Sequence, residues 1–128
     1  MNDMLLSVMT ITYNHEPYIA QAIESFLVQK TTFDVEIVIG EDRSTDNTLQ
    51  ICLDYKAKYP GKVRVLSRDT NIGMMANMID TFSQCKGKYV AVCEGDDYWT
   101  DPYKLQKQVD FLEKNEEYAI CCHNVLCL

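Results

Sequence analysis

The chain has 128 residues, of which 47% are hydrophobic and 24% charged, and its formal net charge is −7. This composition is typical of one globular domain with its own core, and it excludes a disordered chain. The acidic balance argues against a nucleic-acid partner or an anionic membrane surface, because either would need clustered Lys and Arg side chains. No apolar run approaches the roughly 20 residues that a membrane span needs.

Cysteine usage bears on the cellular compartment. The six cysteines are Cys52, Cys85, Cys93, Cys121, Cys122 and Cys127. They lack zinc-type spacing, and most fall in apolar stretches, where a reduced thiol behaves as a small hydrophobic group. We therefore expect buried or half-buried free thiols and a cytoplasmic protein, either free or peripheral at the inner face of the membrane.

The first predicted elements are a strand, a helix and a second strand. The short apolar run Leu5–Thr12 predicts a buried strand. Pro17 favours a helix start, since it fits the first turn without losing a hydrogen bond. Ile19 and Ile23 begin the apolar face of that helix, and Val35–Gly40 is the second strand.

The middle of the chain repeats this order. Ser44 or Thr45 can cap a second helix, which Pro60-Gly61 ends. Val63–Leu66 is a third short strand. A third helix is predicted from about Met74 to Gln84.

The last part of the chain adds two strands and a helix. Lys88–Cys93 is the fourth strand, Asp101-Pro102 starts the fourth helix, and Tyr118–Leu128 is a final apolar strand. This alternation predicts an α/β fold, with a mostly parallel central sheet between two layers of helices. Because the chain stops at an apolar strand, we expect it to be a truncated part of a longer protein.

Polar residues follow each of the first four strands. They are Thr12, Tyr13 and Asn14 after the first, Glu41 and Asp42 after the second, Asn71 and Gly73 after the third, and Asp96 and Asp97 after the fourth. In open α/β sheets, ligands bind beyond the carboxyl ends of the strands. Two acidic pairs at one edge favour a ligand site over a merely solvated surface.

The residue types suggest a metal and a diphosphate. Mg²⁺ or Mn²⁺ takes one or two carboxylates together with phosphate oxygens, which suits Asp96 and Asp97. Asp42 can accept hydrogen bonds from a base or ribose, or it can serve as a turn carboxylate; Tyr13 can stack on a base. Trp99 is either a lid or a packing residue. Since a glycine-rich phosphate loop is missing, we expect a metal to hold the phosphates.

Several segments together resemble the family 2 glycosyltransferases. They are the run from Leu6 to Asn14, EIVIGEDRSTDNT at 36–48, Asn71-Ile72-Gly73, and EGDDYW at 94–99. The resemblance covers practically the whole chain and implies a GT-A (Rossmann-like) fold. It also implies a nucleotide-diphospho-sugar donor, a divalent cation and inversion at the anomeric carbon.

The resemblance assigns roles to individual residues. Thr12, Tyr13 and Asp42 map to nucleoside contacts, and Asn71 of the asparagine turn joins this set. The acidic pair maps to the ribose (Asp96) and to the metal (Asp97). Residues 1–128 are then the nucleotide-sugar-binding part, without the acceptor-binding half. The expected partners are a UDP-sugar and a hydroxyl acceptor on a glycan, a lipid-linked or another molecule, with a homodimer as one option for assembly.

Two positions depart from the family pattern. Glu41-Asp42 replaces the usual Asp-Asp, and Met74–Met78 replaces a small-residue and arginine pattern. No general base is assigned, because Glu113, Glu116 and Glu117 are expected to be solvated at a helix end. His123 is expected in the last strand as a core or edge residue.

Two other classes of protein remain as alternatives. A signalling receiver domain would need an acidic pair after the first strand and a lysine after the fifth, and this chain has neither. A binding module that keeps the nucleotide fold without chemistry is compatible with the sequence. Cell-surface polysaccharide or glycan synthesis by a hexosyltransferase is the leading hypothesis.

Overall fold

The computed structural model describes residues 5–128 and places four strands and four helices in alternation. The strands are β1 (Leu5–Thr12), β2 (Asp34–Glu41), β3 (Val63–Ser67) and β4 (Tyr89–Val92). The helices are α1 (Ile19–Leu27), α2 (Thr48–Lys58), α3 (Met74–Ser83) and α4 (Lys104–Lys114). These eight elements lie close to the predicted bounds. Within the described residues, no helix is long and apolar enough to cross a bilayer.

The strands form one parallel sheet in the order β3-β2-β1-β4. β1 pairs with β2 along its full length, from Leu5 opposite Asp34 to Thr12 opposite Glu41. Its other edge pairs with β4. A strand that is paired on both edges and covered on both faces has no polar side, which is why the sequence of β1 is a continuous mostly apolar run.

Helices cover both faces of the sheet, which confirms the predicted three-layer α/β architecture. Successive side chains of a strand point to opposite faces. On one face, Val8 and Ile37 join the main hydrophobic core with residues of α1, α2 and α4. On the other face, Gly40 of β2 lies directly against α3.

A close approach of backbone to helix positions α3. Asn77 Nδ2 donates a hydrogen bond of 2.9 Å to Gly40 O, and Thr81 Oγ1 donates one of 2.6 Å to Asn77 O. A Cβ added at Gly40 would overlap Thr81 Oγ1 and lie 2.5 Å from Asn77 Oδ1. Glycine is therefore required here by space, and α3 begins at the edge of the sheet where the strands end.

The predicted final strand is wrong. Residues 118–128 form neither helix nor strand, and Val125 and Leu126 are 76% and 82% exposed. A strand must share backbone hydrogen bonds with a neighbour. This segment instead contacts α4, where the rings of Phe111 and Tyr118 lie 5.5 Å apart. The strand was predicted from apolar composition alone, and the described residues contain no neighbouring strand that pairs with this segment.

The start of α2 also differs from the prediction. Asp46 Oδ1, not Ser44 or Thr45, accepts the hydrogen bond of Thr48 N, at 2.9 Å. Ser44 and Thr45 bond instead to Asn14, in the turn after β1. Before α4, Asp101 Oδ1 accepts a hydrogen bond from the backbone of Tyr103, as expected of a turn cap.

We predict that Gly40→Ala destabilises the fold by about 2–3 kcal/mol, because the new methyl group displaces Asn77 and Thr81. Gly61→Ala is the matched control: its Cβ would meet nothing within 4 Å, and only its φ of +82° is unfavourable. That variant should lose about 1 kcal/mol. Chemical denaturation measures both losses. Equal losses would mean that α3 does not pack on Gly40 as described.

Candidate functional site

The polar residues predicted from the sequence do gather at one edge of the sheet. Because the four strands are parallel, their last residues and the segments that follow them meet there, and we call this region the carboxyl edge. It consists of residues 12–16, 41–48, 67–73 and 93–97. The predicted ligand-binding residues that it contains are Thr12, Tyr13, Asp42, Asn71, Asp96 and Asp97.

Thr12 is the residue that joins the two halves of the carboxyl edge. It is the last residue of β1 and only 2% exposed. Its backbone oxygen accepts a hydrogen bond of 3.1 Å from Asp42 N, on the β2 side. Its hydroxyl lies 3.0 Å from His15 Nδ1, on the β4 side. Thr12 is therefore committed to partners within the protein, and its predicted donor contact stays a prediction.

The turns after β1 and β2 are interlocked by side chains. Asn14 Oδ1 accepts a hydrogen bond of 2.8 Å from Thr45 N, and Ser44 Oγ accepts one of 3.0 Å from Asn14 N. The backbone N–H of His15 donates to Thr48 Oγ1, at 2.9 Å. Asn14 has a φ of 55°, in the left-handed region that Asn tolerates better than most residues. This part of the edge is consequently well fixed before any ligand arrives.

The acidic pair after β2 is buried and holds backbone. Glu41 is fully buried and accepts hydrogen bonds from Ser44 N at 2.8 Å and from Arg43 N at 3.2 Å. Buried carboxylates need such partners, since an unpaired buried charge is strongly destabilising. The Glu that replaces the usual Asp is thus a structural residue.

Asp42 has a similar structural task. It is 3% exposed, and its two carboxylate oxygens accept hydrogen bonds from Ile72 N at 2.8 Å and from Gly73 N at 3.0 Å. Asn71 Nδ2 donates to Asp42 O at 2.9 Å, so the loop before α3 is tied to the end of β2. Each carboxylate oxygen has a second lone pair, and the predicted nucleoside contact of Asp42 stays a prediction.

The second acidic pair is exposed, in contrast to the first. Asp97 N donates to Glu94 O at 3.1 Å and closes a turn, while Gly95 N donates to Ile11 O at 3.1 Å and ties that turn to β1. Both Asp96 and Asp97 are exposed, and 43% of the Asp96 side chain is accessible. These carboxylates are free to meet a ligand.

Gly95 is needed for space and not for an unusual backbone angle. Its φ lies outside the left-handed region. A Cβ at this position would lie 2.7 Å from Thr12 Oγ1 and 2.9 Å from His15 Nδ1. The acidic turn therefore packs its backbone directly on these two side chains.

His15 is a site residue that the sequence reasoning missed. Its Nε2 lies 3.9 Å from Asp96 Oδ2 and its Nδ1 contacts Thr12, so the ring bridges the turns after β1 and β4. The available signal was its position, three residues after the end of a buried strand whose carboxyl end was expected to face the acidic pair. Its contact with Asp96 depends on strand order, which the sequence did not specify.

Trp99 is a packing residue, which settles the choice left open by the sequence. It is 8% exposed and packs on Phe26, with ring centroids 4.8 Å apart. Lys104 Nζ lies 4.3 Å from the centre of its ring, and burial lowers the pKa of this lysine. Burial, together with the nearby charge of Asp97, raises the pKa of the Cys93 thiol to about 12. Cys93 is therefore a core residue and not a nucleophile.

The acidic turn offers a limited set of metal ligands. Within residues 5–128, no group of three or more His, Cys, Asp or Glu side chains is arranged to hold a metal ion. Asp96 and Asp97 offer two adjacent exposed carboxylates. Mg²⁺ and Mn²⁺ suit such a set when phosphate oxygens and water complete the coordination. The residues therefore fit a cation that is shared with a phosphate-bearing ligand.

Glu113, one of the four residues considered as acid–base groups, does not lie at the carboxyl edge. Glu113 pairs with Lys88 Nζ at 2.7 Å, beside the start of β4 and so at the opposite end of the sheet. A cleft of about 380 Å³ is found there, lined by Thr32, Phe33, Lys88, Gln106, Val109, Asp110 and Glu113. His123 is exposed and contacts Asn124 O, so its predicted place in a core or edge strand is wrong.

The chain is similar to known proteins in sequence and in fold. A family model described as "Glycosyl transferase family 2" matches residues 7–127. The chain is 48% identical over 120 residues to the uncharacterized protein Rv1520 of Mycobacterium tuberculosis. It is 36% identical over 115 residues to the putative glycosyltransferase EpsE of Bacillus subtilis. Among solved structures, TarS of S. aureus in complex with UDP-GlcNAc matches with a TM-score of 0.77 and 31% identity.

The chain spans only part of each of these proteins. The match covers 94% of the chain and 35% of Rv1520, and 90% of the chain and 41% of EpsE. For TarS the values are 88% of the chain and 32% of the solved structure. The fold of the solved neighbour supports the three-layer architecture.

Arg43 provides a test of the backbone in the turn after β2. This exposed arginine has a φ of 60°, which favours glycine. We predict that Arg43→Gly is more stable to chemical denaturation than Arg43→Ala by about 0.5–1 kcal/mol, after allowing for the greater freedom of glycine in the unfolded chain. An alanine variant of equal or greater stability would contradict the left-handed conformation.

Proposed function

The chain belongs to glycosyl transferase family 2, and we propose that it is the part of a glycosyltransferase that binds a nucleotide-diphospho-sugar donor together with a divalent cation. The observation that carries this proposal is the exposed pair Asp96-Asp97. This pair lies at the same sheet edge as Tyr13 and Asn71. The neighbouring acids Glu41 and Asp42 are instead buried and accept hydrogen bonds from backbone N–H groups.

Uridine diphosphate is the nucleotide that we propose for the donor. Structures of TarS, which is 31% identical over the matched region, contain UDP or UDP-GlcNAc. In our proposal the base stacks on exposed Tyr13 and meets Asn71 and the edge of Asp42. The ribose lies beside Asp96, and the diphosphate lies toward Asp97.

Charge explains the need for a cation. A diphosphate placed beside Asp96 and Asp97 would be repelled, and the chain as a whole carries a net charge of −7. Asp97 would hold Mg²⁺ or Mn²⁺ against the diphosphate oxygens, with Asp96 as the second neighbouring carboxylate. The bound cation would neutralise the negative charge that develops on the leaving diphosphate.

Transfer itself would proceed with inversion at the anomeric carbon. An acceptor hydroxyl would attack that carbon from the side opposite the diphosphate, which would leave with the electron pair of its bond to the sugar, while a general base removes the proton of the hydroxyl. No described residue is assigned as this base. We propose a hexose as the sugar and a hydroxyl on a glycan or lipid-linked molecule as the acceptor. The reaction would take place in the cytoplasm and contribute to the synthesis of cell-surface polysaccharide. A homodimer is one assembly to test.

A binding module that keeps the nucleotide fold without chemistry is the second candidate, since the exposed Asp96-Asp97 pair and Tyr13 account for donor binding alone. A coupled assay that detects UDP released from UDP-GlcNAc by the protein at the full length of its relatives separates the two candidates. Release above the uncatalysed rate would support the transferase. Tight donor binding without any release, with acceptor sugars present, would support the binding module.

The assignment of Asp97 is tested by isothermal titration calorimetry with UDP, with and without Mn²⁺. We predict that Mn²⁺ raises the affinity of the wild-type chain for UDP about tenfold or more, and that Asp97→Ala removes this gain because the shared cation loses its protein ligand.

Asp101→Ala is the matched control for this experiment. Asp101 is a nearby acid, but its carboxylate is paired with Lys107 and caps a turn. This variant should keep the Mn²⁺ dependence. A wild-type chain that fails to bind UDP under any condition, or an Asp97→Ala variant with an unchanged gain, would overturn the proposed site.

A further inference from the structure

The imidazole of His15 lies between the hydroxyl of Thr12, which needs a hydrogen-bond acceptor, and the carboxylate of Asp96, which needs a donor. Its Nδ1 is 3.0 Å from Thr12 Oγ1, and its Nε2 is 3.9 Å from Asp96 Oδ2. The side chain is 23% exposed. One ring nitrogen is thus engaged with a buried hydroxyl, and the other faces a partly exposed carboxylate.

The buried hydroxyl decides where the imidazole proton resides. Thr12 is 2% exposed, and within the described residues its hydroxyl has His15 Nδ1 as its hydrogen-bond partner. A buried O–H needs an acceptor, so Thr12 donates to Nδ1. A neutral imidazole that accepts at Nδ1 carries its hydrogen on Nε2. The N–H therefore points toward the Asp96 side of the ring.

The distance from Nε2 to Asp96 leaves room for a third atom. At 3.9 Å the pair is too far apart for a direct hydrogen bond, which requires about 2.7–3.2 Å. An oxygen at roughly 2.8 Å from both atoms fits this separation. It would have to accept from the imidazole N–H and donate to the carboxylate.

The third atom must both accept and donate a hydrogen bond, as a water molecule does and as a ligand hydroxyl that displaces this water would do. A phosphate oxygen only accepts hydrogen bonds and would be repelled by Asp96, whereas a hydroxyl both donates and accepts. We propose that His15 and Asp96 together hold one ribose hydroxyl of the donor nucleotide. This inference rests on the proposed function, which places the ribose beside Asp96, and it adds His15 as a residue that binds the donor.

The surroundings of His15 hold the ring in place for this task. Its backbone N–H is fixed by Thr48 Oγ1 at 2.9 Å, and its ring nitrogen Nδ1 by Thr12. Gly95 leaves no space for a Cβ between the acidic turn and the ring. A group held from several sides loses little freedom when a ligand binds, which favours affinity.

The test compares UDP with 2′-deoxy-UDP and 3′-deoxy-UDP by calorimetry in excess Mn²⁺. The wild-type chain should bind UDP about ten- to a hundredfold more tightly than the analogue that lacks the contacted hydroxyl. In His15→Asn this preference should fall by about three- to tenfold. Asn can still accept the hydrogen bond of Thr12 but is too short to reach the hydroxyl. A structural role alone would weaken all three nucleotides by one common factor and leave the preference unchanged.

His15→Gln is the conservative variant. Its longer amide can place an N–H near the position of Nε2, so it should restore part of the preference that His15→Asn loses. Thermal melting checks that both variants are folded. A measurement without substitution complements them: the Nε2–H resonance of His15 should shift with UDP and less with the sensitive deoxy analogue.

The possible failures are distinguishable. If the wild-type chain does not bind UDP, the proposed function fails and this inference fails with it. If the wild-type chain binds UDP and His15→Asn keeps the full preference for the hydroxyl, only the inference about His15 is overturned. A loss in His15→Asn that affects UDP-GlcNAc relative to UDP, with the ribose preference intact, would also overturn it.

Discussion

The hydrogen bonds at the end of β1 fix the geometry of the whole carboxyl edge. Ile11 O accepts from Gly95 and Thr12 O accepts from Asp42, so the last two residues of one strand position the turns on both sides of it. Only a strand that is paired on both edges can position a turn on each side in this way, and β1 is paired with β2 and β4. The side chain of Thr12 extends the same link to His15, and the compact backbone of Gly95 lets the acidic turn come close.

The carboxyl edge uses its carboxylates in two different ways. Glu41 and Asp42 are buried, and backbone N–H groups occupy their oxygens. These hydrogen bonds stabilise the conformation of the loops. Asp96 and Asp97 stand in solvent on a turn that is held by its backbone. A rigid frame with two free carboxylates is what a shared cation and an anionic ligand require, since the ligand need not order the loops that receive it.

The fold could be predicted from the sequence because its signal is repeated. Each strand is a short apolar run, each helix shows an apolar face or a start signal, and their alternation implies a parallel sheet. The edge residues followed from the same rule, since polar residues after parallel strands must meet. The prediction of a strand at Tyr118–Leu128 was wrong, because composition shows that a run is apolar but not whether a neighbouring strand exists to pair with it.

The finer contacts of the site could not be predicted for a different reason. Whether a carboxylate is buried or exposed depends on which backbone N–H groups surround it, and Glu41 and Asp96 look alike in sequence. His15 becomes a site residue only because β4 lies beside β1, which brings Asp96 Oδ2 to 3.9 Å from His15 Nε2. Strand order is a tertiary property, and the alternation of elements leaves several orders open.

Amide nitrogen–proton NMR spectra during titration with UDP and then Mn²⁺ test the location of the site most directly. Binding at the carboxyl edge predicts shifts for residues 12–15, 71–73 and 94–97, and paramagnetic broadening by Mn²⁺ that begins around Asp97. The cleft beside Lys88 and Glu113 lies at the opposite end of the sheet and should be unaffected. Shifts centred on that cleft, or no shifts at saturating UDP, would contradict the donor site described here.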